Sequence, residues 1–491
     1  MKNKKQAIIL SVIASIALLV LIIGATYAYF QASGGTGTSA NLRVTTYTTD
    51  VFNFEVGNDI SIYADATSFA SGKGNAVGST FAKAILTANN KTNTATEHYY
   101  LYLNISNNTF LYTQNESTPE LLLTITDASG NAVTDITSLA YKTVTDGKGA
   151  SISGYDITNK SGLITLFNNK EITASPTKTD EWNITVTLVN YDKDQSNNAG
   201  KSFNAKLMIQ KEKIPTVLSD VCTNGNNLAT CITTLSNKSE PSIVNIYHHT
   251  SSLANGAGDS SYRYAGASDQ VNNYICLGSD ESTCPDANLF RIIGVFGDQT
   301  KVIRAKSVGN KQWNSSSSNT WSSSSLNTYL NGEYLTSLGT LAEKIATTTW
   351  KVGGDSGHNI SGSVPKTAYQ YEVGSSASTT TVDKKIGLMY VTDYYYSASP
   401  SAWTLVGNDH EDATKDYRAA TSINWLYLGS EEWTISLCSD LSSIAFTVKS
   451  TGNIFVSIVT NDQEVRPSFN LESSIKYVSG SGSMSDPVRV N

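Results

Sequence analysis

The chain reads as a multidomain, largely β protein: a transmembrane helix at the N-terminus, an all-β antiparallel sandwich, then a mixed α/β domain. Three observations carry this reading. Lys2, Lys4 and Lys5 precede an uncharged run from Ala7 to Phe30. From about residue 32 to 212, apolar side chains recur with period two, without helical periodicity longer than two turns. Beyond Pro215 and Pro241 the composition changes, and residues 243–491 hold all but one of the 7 tryptophans. The expected boundaries are 1–30 for the membrane or signal segment, 31–212 for the sandwich, 213–242 for a linker with a cysteine loop, and 243–491 for the Trp-rich α/β domain.

In a helix the Ala7 to Phe30 run reaches roughly 36 Å, enough to cross a hydrocarbon core of about 30 Å. Lysines held on the cytoplasmic side send the rest of the chain outward. A cleavable signal peptide fits the same features, because Thr26-Tyr27-Ala28 puts small residues at the −3 and −1 positions of a cut after Ala28. Either way, by membrane attachment through residues 7–30 or by secretion after cleavage, the chain is expected outside the cell.

A hydrophobic content of 40% with 16% charged residues suits folded domains rather than disorder. The net charge of −7 comes without a basic stripe, which argues against a nucleic-acid partner, since phosphate contacts need clustered Lys and Arg. Of the 5 cysteines, Cys222 and Cys231 form one close pair, Cys276 and Cys284 another, and Cys438 is alone. The two pairs are read as local disulfide loops or as reduced thiols in small pockets. Zinc is not expected, because neither pair has the short C-x(2-4)-C spacing.

Within the sandwich, Trp182 to Leu188 and Phe203 to Ile209 alternate apolar and mostly polar positions, as strands with one buried face do. Tyr99 to Ile105 and Leu121 to Ile125 are further strands, and Asp127-Ala128-Ser129-Gly130-Asn131 is a turn. Two antiparallel sheets can close over one core without helices. Gly24-Ala25-Thr26-Tyr27-Ala28-Tyr29-Phe30, with Asp194-Gln195-Ser196 and Gly200-Lys201-Ser202-Phe203, resembles the start and end of the TasA/camelysin group of exported proteins. That resemblance implies signal cleavage at Ala28, a jelly-roll-like sandwich and assembly into biofilm fibres by strand donation. Protease chemistry attributed to some camelysins is not carried over, because the chain has no His-Glu-x-x-His.

In the Trp-rich region, Phe290 to Phe296 and Lys301 to Arg304 flank Gly297-Asp298-Gln299-Thr300 as a β-hairpin. Ser324 or Ser325 caps a short helix with Leu326, Tyr329 and Leu330 on one face, ending near Gly332. Leu228 to Leu235, in the linker, reads as one short helix. Tyr262-Arg263-Tyr264-Ala265-Gly266-Ala267, Asn272-Asn273-Tyr274-Ile275-Cys276, Phe290 to Phe296, Ser325 to Gly332, Ile386-Gly387-Leu388-Met389-Tyr390 and Val465-Arg466-Pro467 resemble the recurring blocks of an uncharacterised extracellular domain of low-GC Gram-positive surface proteins. The family has no established activity. Its pattern is similar to C-type-lectin-like and sulfatase-modifying-type folds at the level of architecture.

No catalytic, cofactor-binding or metal-binding residue is expected. His248-His249 is the one adjacent histidine pair, and strand neighbours point to opposite faces, so a shared metal would need an irregular loop. His98, His358 and His410 stand in no catalytic spacing. Asp192-Lys193-Asp194-Gln195-Ser196 starts like a calcium loop, but Asn197 occupies the glycine position and Phe203 the place of the bidentate glutamate, so it reads as a polar hairpin tip. Asn408-Asp409-His410-Glu411-Asp412 reads as a solvated loop. There is no Gly-x(4)-Gly-Lys-Ser/Thr or Gly-x-Ser-x-Gly motif, and Cys438 reads as a buried free thiol. Of the aromatic clusters, Trp313 with Trp321, Tyr394-Tyr395-Tyr396 with Trp403, and Trp425 with Tyr427 and Trp433, most belong in the core. Trp313, Trp321, Tyr395 and Trp403 are the candidates for facing a ligand. The expected function is that of a non-enzymatic cell-surface protein recognising a surface glycan or protein. A self-assembling matrix or pilus-like fibre component and a cell-wall-acting enzyme are the alternatives.

Overall fold

The computed structural model describes residues 50–89, 94–115 and 117–491. The expected membrane or signal segment, with Ala28, lies outside the described residues. Among the described residues no helix is long and apolar enough to cross a membrane. The chain is mostly β, in largely antiparallel sheets with few helices. It divides into two compact units, Met1–Lys213 and Ile214–Asn491.

Among the described residues the first unit has ten strands: β1 (Val51–Val56), β2 (Ile60–Tyr63), β3 (Ala76–Thr87), β4 (Ala95–Asn108), β5 (Leu121–Asp127), β6 (Tyr141–Thr145), β7 (Ser151–Asp156), β8 (Gly162–Ala174), β9 (Thr177–Leu188) and β10 (Ser202–Gln210). They form a six-stranded sheet in the order β1-β3-β9-β5-β7-β6 and a four-stranded sheet in the order β2-β10-β4-β8. Every pairing is antiparallel. One core holds Leu101, Leu103 and Ile105 of β4 with Leu121, Leu123 and Ile125 of β5 and Ile184 and Val186 of β9, which is the buried face that period-two alternation produces. Between the sheets, Tyr99 of β4 accepts from Trp182 Nε1 at 2.8 Å and donates to Asp180 at 3.0 Å, both on β9. The edge strand β8 shifts register twice against β4, a bulging that discourages pairing with a further strand.

The second unit opens with helix α1 (Leu228–Lys238), where Asn227 caps the first turn by accepting from Thr230 N. Leu228, Cys231, Ile232 and Leu235 form the stripe that a helix period makes of this spacing, and all four are buried in the unit's core. From Ile214 onward, therefore, the stretch read as a linker belongs to the second unit. Pro241 opens a further short helix, Pro241–Val244, at a position where its missing N–H costs nothing.

Strands β11 (Ile246–His248), β12 (Tyr262–Tyr264), β13 (Tyr274–Cys276), β14 (Leu289–Phe296) and β15 (Gln299–Arg304) follow. β14 is the centre of a nine-stranded sheet: it pairs with β15 on one side and with β13 and then β12 on the other. The switch from β13 to β12 falls at Gly294, where any Cβ would run into the Tyr262 carbonyl oxygen. A five-stranded sheet built around Glu432–Leu437 and Ile444–Val448 completes the β framework, apart from a small two-stranded ladder. Helices α2 (Ser325–Tyr329), α3 (Pro365–Glu372) and α4 (Val391–Tyr396) pack around them. Ser324 caps α2 through Asn327 N, and the helical run continues past Gly332 to Ser337 instead of ending there.

Candidate functional site

A buried, linked group of titratable side chains lies inside the second unit. β12 turns Arg263 inward, β15 does the same for Lys301, α3 ends on Glu372, and Asp393 sits in the first turn of α4. Lys301 Nζ lies 2.5 Å from Asp393 Oδ2. Arg263 Nη1 lies 3.5 Å from Asp393 Oδ1, and Arg263 Nη2 2.7 Å from Asp259 Oδ2. Asp393 Oδ2 also accepts from Tyr390 N at 2.8 Å, which closes the cap of α4. Aromatic faces enclose the cations: Phe296 and Tyr396 lie 4.6 and 5.2 Å from the Arg263 guanidinium, while Tyr390 and Trp350 lie 4.7 and 5.3 Å from Lys301 Nζ.

Glu372 accepts from Val391 N and Thr392 N, each at 2.9 Å, and from the hydroxyls of Thr392 and Ser436. Burial pushes its carboxyl above the usual range against the Ser436 and Thr392 hydroxyls and the Thr392 amide. Burial also lowers the Lys301 ammonium, with Asp393 pulling the other way. At Asp259 burial is outweighed by Arg263 and the Ser261 hydroxyl, and the carboxyl stays ionised.

His249 adjoins this group. Its Nδ1 accepts from Ala257 N at 3.0 Å, its ring stands edge-on to Tyr396 at 4.7 Å and tilts against Trp403 at 5.0 Å, and Nε2 finds no partner. Burial first, and Arg263 second, push the imidazole down to about 2. His249, Asp259 and Ser261 are close in sequence but do not form a proton relay. The Ser261 hydroxyl donates to Asp259 and accepts from Arg263 Nε, so it is held as a bridge rather than freed as a nucleophile.

Two further buried cations lie elsewhere in the unit. Arg466 meets Glu432 through two 2.7 Å bonds. Among the described residues Arg291 has no carboxylate against it. It is stacked between Tyr274 and Trp425 at 4.3 and 4.6 Å and bonded to Asn273 Oδ1 and Ser268 Oγ, and burial pulls its guanidinium down to about 10.

The aromatics expected to face a ligand do not. Trp313, Trp321, Tyr395 and Trp403 are each at most 1% exposed. Their polar atoms explain why burial is tolerated in three cases: Trp313 Nε1 donates to Thr434 O, Trp403 Nε1 to Ala398 O and the Tyr395 hydroxyl to Ile360 O. Trp321 packs against Trp313 at 5.1 Å instead. Trp425, Trp433 and Tyr394 are also core.

Cys222 and Cys231 are disulfide-bonded, as are Cys276 and Cys284. Cys438 is a buried free thiol raised by burial. His248 stacks on Tyr262 at 4.0 Å, His98 lies 3.7 Å from Glu171 and His410 stands edge-on to Phe455. In the 408–412 loop the carboxylates serve the backbone: Asp409 Oδ1 accepts from Glu411 N and Asp412 N, while buried Asp416 accepts from Asp409 N and Arg418. Asp192 and Asp194 likewise accept from Gly72 N and Ser196 N.

Reading the sequence for motifs missed Arg263, Lys301, Glu372 and Asp393. The available signal was a charged residue set inside an apolar strand, as in Tyr262-Arg263-Tyr264 and Lys301-Val302-Ile303. No protein-family model and no curated protein matches the chain.

Proposed function

We propose that the chain is a non-enzymatic bacterial surface protein, with the second unit recognising a glycan or protein and the first carrying it away from the cell. The observation that carries this reading is the inward closure of the second unit's reactive groups: Asp259, Arg263, Lys301, Glu372 and Asp393 bond to one another or to backbone, behind aromatic walls. A unit so closed meets a partner through its surface. The two disulfides support a site outside the reducing cytoplasm. The same proposal takes the first unit as jelly-roll-like and the second as C-type-lectin-like. The purified chain should bind at least one class of surface glycan on an array, or retain a partner from a cell-surface extract, without releasing fragments from wall polymers. Turnover of wall polymers would replace this reading with an enzymatic one.

A second reading, assembly into a fibre, is favoured by the edges of the first unit. Among the described residues β1 pairs only with β3 and β2 only with β10, and Val51, Val56 and Tyr63 on them are exposed. An edge of this kind can accept a further strand. In that reading Tyr29 to Thr46, freed after Ala28, inserts into a neighbouring copy. Val56→Lys would then block assembly followed by sizing, and a chain that stays monomeric at high concentration would end the idea.

A further inference from the structure

We propose that Lys301 and Asp393 become joined by an amide bond between Lys301 Nζ and Asp393 Cγ, an intramolecular cross-link tying β15 to α4. The amine and the carboxylate are 92 positions apart in sequence yet 2.5 Å apart in space, with their side chains 6% and 2% exposed. An amine nitrogen that close to one carboxylate oxygen lies roughly 3 to 3.5 Å from the carboxyl carbon, within reach for attack.

In water such a condensation is opposed because both groups prefer to be ionised. Here the preference is weakened: Phe296, Trp350 and Tyr390 surround Lys301 Nζ, and burial favours the neutral amine. The balance is simple. One ammonium proton passes to Asp393 Oδ2, and the free amine adds to Cγ. Charge then gathers on Oδ1, which faces the Arg263 guanidinium at 3.5 Å. A second proton leaves the nitrogen, the Cγ–Oδ2 bond breaks, and the oxygen departs as water. The third proton stays on the amide nitrogen, so nothing is oxidised or reduced and no co-reactant is needed. Glu372, held at the amides of Val391 and Thr392 just before Asp393, places a further carboxyl in the site, one that burial keeps protonated to higher pH than an exposed glutamate.

The chain carries its own control. Lys306 and Asp286 also lie 2.5 Å apart, but their side chains are 62% and 65% exposed, without the apolar enclosure that surrounds Lys301, so the pair should stay open. The inference does not depend on the surface-protein reading.

The test is peptide mapping of the full chain after denaturation, reduction and tryptic digestion. The expected result is a branched peptide containing Lys301 and Asp393, lighter than its two linear parts by one water, with no cleavage after Lys301 and with Lys306 and Asp286 in ordinary linear peptides. Lys301→Arg, which keeps the charge without the amine, should abolish the branch. A linear peptide ending at Lys301 alongside an unmodified Asp393 peptide, or a branch that survives Lys301→Arg, would overturn the assignment.

Discussion

His249 shows how a single buried ring sets a pH dependence. Its imidazole is pushed down to about 2 in the folded chain, whereas an unfolded histidine titrates near 6.5. Between these values the unfolded chain binds a proton that the folded chain refuses. Stability from this group is therefore complete above about pH 6.5 and falls as pH drops, with a slope approaching about 1.4 kcal/mol per pH unit. His249→Asn retains an acceptor for the Ala257 amide and removes the titration. It should cost about 1 to 3 kcal/mol at pH 7 and flatten the profile toward pH 5, as read by urea unfolding of both proteins at several pH values. Parallel profiles would assign the acid sensitivity to other groups. Neighbouring histidines 248 and 249 were legible as pointing to opposite faces, and one stacks on Tyr262 while the other is buried. The inner face could not be read further, because Trp403 and Tyr396 reach it from residues far along the chain.

At the scale of elements, the hydroxyl of Tyr99 joins strands of opposite sheets by accepting from Trp182 and donating to Asp180. Tyr99→Phe preserves the ring but leaves the buried indole N–H without an acceptor, at a cost of about 1 to 3 kcal/mol. The denaturant midpoint should fall with unchanged slope, and a shift within error would mean that water replaces the hydroxyl. These strands were legible because alternation is local: Tyr99 to Ile105 lies within β4, Trp182 to Leu188 within β9 and Phe203 to Ile209 within β10. The hairpin after Phe296 was legible too, although β15 begins at Gln299, two residues before Lys301, because Gly297 takes the left-handed conformation and tightens the turn. The partnership of Lys301 with Asp393, or of Arg466 with Glu432, was not. Those pairings are made by topology, and a charge in an apolar strand announces a partner without naming it.

For the molecule as a whole, covalent reinforcement is unequal. Both disulfides, and all 5 cysteines, belong to the second unit, and the first rests on its own apolar core. The loops close over sequence separations of 9 and 8, each contributing about 2.5 kcal/mol in the chain-entropy model. Neither loop depends on its bridge alone. The 276–284 loop is also held by Arg489, which donates to Ser279 O at 2.9 Å and Glu281 O at 2.7 Å from the last strand of the unit. The 222–231 loop, at the start of α1, is likewise held from the chain's C-terminal segment: Gly225 N donates to Tyr477 O at 2.9 Å, Tyr477 N to Asn226 O at 2.8 Å and Asn227 Nδ2 to Ser473 O at 2.6 Å. Calorimetry should therefore resolve two transitions, of which reductant lowers only one. Removing the first bridge by Cys222→Ser with Cys231→Ser should lower that transition about as much as removing the second by Cys276→Ser with Cys284→Ser, since the loops are of similar length and each keeps hydrogen bonds to the last segment of the unit. A much larger loss from one pair would show that its bridge does more than close a loop of this length, and movement of both transitions would show that the units unfold as one.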